Sequence, residues 1–424
     1  MMRGRTPEFC EVERAVPLDE ARRRAVTALG ALGLRADLVD AGPGRDPTAW
    51  WCRLLDGAGE AAPVAYGMGK GRPEEARVGA LFEAVEHFLT GPAQFDPAVV
   101  EQAAPARIAG GPLQADPCAL LLAGMPGRRM ACLRYRALDG GEAALVPLFL
   151  FAPWYVESGG ARLRELAGDD CDYTHLMRYS CNSGSAIGVT AAEALLHALN
   201  EAIERDALSL LLVRAFLSGR EFRPRVIDPG TLPDGPARAY ATAQEVTGSP
   251  VHLLDITTDA GVPTMLAYTA PTPGHQHRRG AGTSLSPAYA AWRALTELVQ
   301  ITLGESLPSS GPPARGDLSK LAAHPALHAC GQFDLTGVLS GARVVPFQGD
   351  AAPAGPPAVQ LRKVAALLGA RGHAVYHRTV CALPGEVTAV HVVVPAFERF
   401  MLITDGILVV PGRRGRAVVT GDAC

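Results

Sequence analysis

Residues Asn182 to Asp206 read NSGSAIGVTAAEALLHALNEAIERD, and this stretch decides the fold. Between Thr190 and Glu204 small and aliphatic residues dominate, while the polar side chains fall at Glu193, His197, Asn200, Glu201 and Glu204. Residues three or four apart share a helix face, so these spacings form one stripe. Thr190 suits the N-cap of a helix running to about Leu217. A helix that is apolar except for one acidic stripe belongs in an interior, with the stripe lining an internal site. Unpaired buried carboxylates are costly, so these acids need cations or protons.

The pattern occurs three times. Gly69 to His87 (GKGRPEEARVGALFEAVEH) places Glu83 and Glu86 on one helix face, beside the small residues Ala76, Gly79 and Ala80. Gly280 to Gln300 (GAGTSLSPAYAAWRALTELVQ) stacks Arg293, Glu297 and Gln300. Each copy has a Gly-containing loop and then an Ala/Leu-rich helix ending A-L-x-E-x-x-[E/Q]. Taken singly, an acid pair reads as a solvated helix face; three matched copies favour one shared site.

Glu83, Glu86, Glu193, Glu201, Glu204 and Glu297 together with a triphosphate would concentrate roughly ten negative charges. Two divalent cations plus Lys70, Arg205 and Arg293 would largely offset them. Hard oxygen donors without thiolate or clustered imidazole ligands select magnesium. A di-iron carboxylate bundle needs Glu-x-x-His, whereas Glu193 and His197 are four apart. His197 is as well suited to packing or a supporting role as to ligation. Gly69-Lys70-Gly71 lacks the remaining residues of a Walker A loop.

The 424 residues exceed one small core and predict two to three structural units. Apolar residues make up 48% and charged residues 20%, which excludes a globally disordered chain. A net charge of -3 supports neither a basic nucleic-acid surface nor an acidic tail. The basic run His275 to Arg279 reads as a solvated turn. Nine cysteines, without C-x-x-C or zinc spacing, are expected as reduced thiols. With neither a signal-peptide pattern nor a long apolar run, the sequence predicts a cytoplasmic protein.

Helices are predicted at Leu18 to Gly33, Pro73 to Thr90, Ala237 to Val246, Pro287 to Leu303 and Pro357 to Leu368. Strands are predicted at Ala144 to Trp154, Val251 to Asp255, Pro263 to Thr269, Ala374 to Val380 and Val387 to Val394, the middle two as a hairpin. This interspersion gives an α/β or α+β class. The expected organisation is an N-terminal region at 1–64, a catalytic domain at 65–415 and a tail at 416–424. Subdomain boundaries are expected near 219–236 and 304–316, with linkers at Leu307 to Gly316 and Asp350 to Pro357.

The three motifs as a set, G-K-G…A-L-x-E-x-x-E, N-S-G-S-A-I-G-x-T-x-x-E-A…E-x-x-E-R-D and G-A-G-T…R-A-L-T-E-x-x-Q, resemble the YcaO superfamily over about residues 65 to 415. The resemblance implies a composite α+β fold with ATP between helices and magnesium held by Glu83, Glu86, Glu193, Glu201, Glu204 and Glu297. It implies Arg205 and Arg293 on phosphates, with Lys70, Arg77 and Ser183 as further nucleotide candidates. The implied chemistry is ATP-dependent activation of a backbone amide in a ribosomally made peptide. Cyclodehydration of Cys, Ser or Thr to an azoline leads, with thioamide or amidine formation and a non-catalytic nucleotide-binding scaffold as alternatives. The chain ends RAVVTGDAC without the proline-rich tail frequent in the azoline-forming branch, and Ile301 and Thr302 stand where relatives often have a basic residue. A separate leader-binding or sulfur-delivery partner and a homodimer are expected.

Overall fold

The computed structural model describes residues 13–273, 275–307, 316–349 and 355–421. The expected linkers after Leu307 and Asp350, together with Cys10, Cys424 and the last three residues, fall wholly or largely outside them. Helix α1 (Leu18–Ala31) leads into β1 (Arg35–Asp40), β2 (Thr48–Leu55) and β3 (Ala61–Gly71), an antiparallel sheet in the order β1-β2-β3. Helix α2 (Pro73–Thr90) follows at once and packs on this sheet. Pro73 occupies its first turn, and the Glu75 carboxylate accepts the Arg72 amide at 3.0 Å, so the start of α2 is capped by its own sequence.

The next stretch contains β4 (Glu101–Ala103), the short helices α3 (Pro105–Ala109) and α4 (Ala119–Ala123), then β5 (Met130–Ala137) and β6 (Ala144–Pro147). Only the first four residues of the expected strand at Ala144 to Trp154 are extended. Pro147 and Pro153 interrupt it, and α5 (Pro153–Val156) and α6 (Ala161–Ala167) follow. Strand β7 (Ser185–Gly188) then runs into α7 (Ala191–Phe216). Thr190 caps α7 by accepting the Glu193 amide at 3.2 Å.

A five-stranded sheet, ordered β11-β10-β9-β8-β12, is built from β8 (Arg225–Ile227), β9 (His252–Asp255), β10 (Thr264–Thr269), β11 (Arg278–Thr283) and β12 (Arg343–Val345). Between these strands come α8 (Asp234–Thr247), α9 (Pro287–Gly304), α10 (Pro325–Gln332) and α11 (Thr336–Leu339). The predicted β9/β10 hairpin is antiparallel, with Leu254 opposite Leu266. Helix α12 (Pro357–Gly369), β13 (Tyr376–Leu383), β14 (Val387–Val393) and α13 (Arg413–Thr420) complete the chain. β13 and β14 join β4, β5 and β7 in the third sheet, ordered β4-β5-β13-β14-β7, with β6 on β5.

The architecture is α+β, with helices packed on three sheets. Helix α7 is its axis: 17 of its 26 residues are buried. Each well-buried leucine there contributes roughly 1.5–3 kcal/mol.

The glycine-containing segments before the three matched helices are largely strands, the turn at 182–184 before β7 excepted. β3, β7 and β11 each lead within a few residues into α2, α7 and α9. Their glycines let the strand backbone press against the helix that follows. A Cβ on Gly69 would overlap the Ala76 carbonyl and the Ala80 amide, and one on Gly282 would overlap the Ala290 carbonyl. The boundary expected between residues 64 and 65 therefore cuts through β3, which pairs with β2 from Thr48↔Gly71 to Leu55↔Ala61. The N-terminal region and the first motif share a single sheet.

The run His275 to Arg279 also differs from expectation. Arg278 and Arg279 belong to β11; Arg278 pairs with Glu305 at 2.6 Å, and Arg279 lies 4.7 Å over the Phe333 ring. No helix of the described residues is long and apolar enough to cross a membrane.

Candidate functional site

The three strand-helix units turn their polar faces toward one cavity of about 480 Å³. From α2 come Glu83 and Glu86, from α7 Glu193, His197, Glu201, Glu204 and Arg205, and from α9 Arg293, Glu297 and Gln300. Lys70 enters from β3. All six glutamates, Lys70, Arg205 and Arg293 thus line the same space.

Arg77 and Ser183 do not line it. Arg77 lies on another face of α2, its guanidinium 5.5 Å over the Trp50 ring. Ser183 sits in the loop before β7, where its carbonyl meets His391 Nε2 at 3.2 Å; Asn182 of that loop and Ser185 at the start of β7 reach the cavity instead.

Two opposite-charge pairs and one contact to a neutral ring order the wall. Lys70 Nζ donates to Glu297, Arg205 reaches Glu201 at 3.3 Å, and Arg293 donates to His197 Nδ1 at 3.4 Å. Burial first, then Arg293, Arg14 and Lys70, holds His197 well below the usual imidazole range, so it is a neutral acceptor that orients Arg293. Gln300 turns its amide to the Met68 carbonyl of β3 and thereby ties α9 to the first sheet.

The carboxylates outnumber their cations. Burial pushes Glu83 up to about 7, opposed by Lys70 and reinforced by Glu297. Glu204 is also pushed up to about 7, by burial and then by Glu297, against Arg205 and Arg293. Burial, Glu201 and Glu83 raise Glu86 well above the carboxylate range. Among the described residues no three His, Cys, Asp or Glu side chains converge into a ready-made metal cluster. The site is a cavity walled by carboxylates whose mutual repulsion a divalent cation would relieve.

The donor set fits magnesium, because the crowded groups are hard carboxylate oxygens. It fits a polyphosphate as well: the Nε atoms of Arg205 and Arg293 are buried without a partner among the described residues, leaving spare donors on two cations of the wall.

The N-terminal segment adds residues that no motif marks. Arg14 lines the cavity and pairs with Glu193 at 3.2 Å; neighbouring Glu13 is buried and accepts from Ser284 at 2.6 Å and Asn200 at 3.3 Å. These contacts span 179 to 271 residues, beyond the reach of any local pattern. Glu75, His87 and Tyr289 also line the cavity; Glu75 carries a signal, three residues after Arg72, but a capping one.

A family model described as YcaO cyclodehydratase, ATP- and Mg2+-binding, matches residues 68–398. The chain belongs to the YcaO family. YcaO from Methanopyrus kandleri bound with AMPPCP and Mg2+ has this fold at TM-score 0.63 and 18% identity, covering 95% of this chain and 97% of that one. A heterocyclase in complex with substrate and cofactor matches at TM-score 0.63 and 18% identity over 93% of this chain and 55% of that chain. The E. coli microcin synthetase McbBCD complex matches at TM-score 0.54 and 13% identity, over 85% and 88%. At these identities the likeness is one of fold.

Two curated relatives share shorter stretches of sequence. An uncharacterized protein in the tfuA 3′ region of Rhizobium leguminosarum bv. trifolii is 35% identical over 132 residues, 29% of this chain and 30% of the relative. An uncharacterized protein of Methanothermobacter thermautotrophicus is 34% identical over 125 residues, 28% of this chain and 31% of the relative. The chain matches less than a third of either relative's length.

Proposed function

We propose that this YcaO protein uses ATP and magnesium to activate a backbone amide of a ribosomally made peptide, and that the product is an azoline formed from a Cys, Ser or Thr side chain. The observation that carries this reading is the convergence of six glutamates and three cations, from three strand-helix units, on one cavity. Glu83, Glu86, Glu193, Glu201, Glu204 and Glu297 would hold magnesium, and Lys70, Arg205, Arg293 and Arg14 would face phosphate oxygens. When bound, ATP supplies the phosphoryl group that makes a peptide carbonyl oxygen a leaving group. Neutral His197 keeps Arg293 in place, Gln300 locks α9 to β3, and burial strengthens every charge interaction in the cavity.

The azoline assignment is supported by the company the fold keeps, which includes a heterocyclase and a microcin synthetase. Thioamide and amidine formation start from the same activated amide. We assign a separate partner protein to the reaction; the relative beside tfuA makes the product of a neighbouring gene the first candidate. A cytoplasmic location fits the seven free thiols among the described residues, and a homodimer is proposed on the family resemblance alone.

The test is ADP formation and peptide mass with a precursor peptide encoded nearby. Peptide-dependent ADP release with loss of one water supports azoline or amidine formation, and loss of a free Cys, Ser or Thr side chain at the modified position assigns the azoline. Exchange of oxygen for sulfur would move the assignment to thioamidation. Nucleotide binding with no peptide-dependent turnover would make the protein a scaffold.

A further inference from the structure

Helix α2 has a second working face. At about 100° per residue, Arg77 and Leu81 are turned away from Glu83 and Glu86, and Val78 lies at the boundary. Arg77 and Leu81 line a separate cavity of about 400 Å³ between α1, β1 and α2, and Val78 lines both cavities. Its floor is aliphatic, made by Leu29, Leu34, Ala36, Leu38, Val78 and Leu81. Val26, 56% exposed, stands at its edge on α1.

Every charged residue in the lining is an arginine: Arg22, Arg35 and Arg77. Among the described residues Arg22 and Arg35 have no carboxylate within ion-pair distance, and Arg77 has Glu74 at 3.9 Å. An aliphatic hollow ringed by three cations selects an occupant that is both acidic and apolar. Two copies of the chain meeting here face to face would oppose like charges, which disfavours a symmetric dimer through this surface. The wall formed by Arg35, Ala36 and Leu38 belongs to β1, with Leu34 just before it, and β1 pairs with β2 alone among the described strands. Its other edge offers backbone donors and acceptors to an extended chain.

We propose that this cavity docks an acidic, aliphatic stretch of the peptide that the enzyme modifies. The segment adds to the free edge of β1, its aliphatic side chains enter the hollow, and its carboxylates meet Arg22, Arg35 and Arg77. Arg77, expected from the sequence at the nucleotide, works on peptide instead. Because Val78 is common to both cavities, peptide docking presses on the helix that carries Glu83 and Glu86. Naming the occupant as substrate rests on the peptide-modifying reading above.

The test is fluorescence anisotropy on the full chain without nucleotide, with a short labelled peptide alternating glutamate and leucine and a second peptide with lysine in place of glutamate. The acidic peptide binds, and more weakly as salt rises. Arg22→Glu with Arg35→Glu lowers its affinity by about tenfold or more and favours the basic peptide. Gly30→Phe fills the hollow without touching a charge, since a Cβ at Gly30 meets nothing within 4 Å, and it also weakens binding. Each variant is titrated with Mg-ATP to show that it is folded. Equal binding of the two peptides, unaltered acidic-peptide binding in both variants, or capture of anionic phosphatidylglycerol vesicles in place of the peptide would overturn the proposal. A wild-type chain that binds the acidic peptide but no Mg-ATP would sink the functional reading and leave the docking site standing.

Discussion

Glu204 is buried on α7 beside Arg205 and Arg293, yet burial and Glu297 push its carboxyl up to about 7. The folded chain therefore binds this proton more tightly than the unfolded chain does. The stability Glu204 contributes is complete below about pH 4.5 and is lost as pH rises through about 7. Glu204→Gln removes the titration, so the variant should gain stability relative to wild type as pH climbs from about 5 to about 8, measured by thermal melting without nucleotide. A gap that stays constant would contradict the shift. His391 behaves in the opposite sense, because burial holds it down at about 3. Its Nε2 must donate to the Ser183 carbonyl, so a neutral ring leaves Nδ1 to accept the Tyr135 hydroxyl at 2.8 Å. Tyr135→Phe leaves Nδ1 buried and unpaired, at a cost of roughly 1–3 kcal/mol in denaturant unfolding. Through Ser183 it should also loosen the loop that brings Asn182 and Ser185 to the cavity, seen as weaker Mg-ATP binding.

At the scale of elements, the repeated unit is a glycine-bearing strand pressed onto a small-residue helix. The helices were legible because their apolar and acidic positions keep helical spacing: α2 is observed at the predicted limits, and α7 and α9 within a residue or two. Their partner strands were not. The glycines at 67, 69, 280 and 282 that allow close packing also remove the β-branched side chains by which strands are recognised. Gly282→Ala should consequently destabilise far more than an alanine on a solvated strand, by about 3 kcal/mol or more in chemical denaturation, because the obstacle is the backbone of α9 and not a movable side chain. A loss within about 0.5 kcal/mol would show that β11 and α9 are not held this tightly.

For the whole molecule, distant segments close around α7. The segment before α1 delivers Arg14 to Glu193, and α13 returns to deliver Arg414 to Asp206 at 3.0 Å and Asp259 at 2.6 Å. Asp206 is fully buried, so Arg414→Met would strand a charge and cost roughly 3–5 kcal/mol. Equilibrium unfolding checks that figure, and Arg414→Met combined with Asp206→Leu should recover part of the loss. Such pairs, 179 and 208 residues apart, leave no periodicity to read, which is why Arg14 and the packing of α13 were invisible while the three acidic helices were not. The acids were visible because one face of each helix had to carry them. Calorimetric titration of Mg-ATP into wild type and into Glu201→Ala/Glu204→Ala measures the central claim most directly. The account predicts one magnesium-dependent nucleotide per chain, weakened at least about tenfold, roughly 1.4 kcal/mol, by the double substitution. Unchanged binding in the folded variant would contradict it.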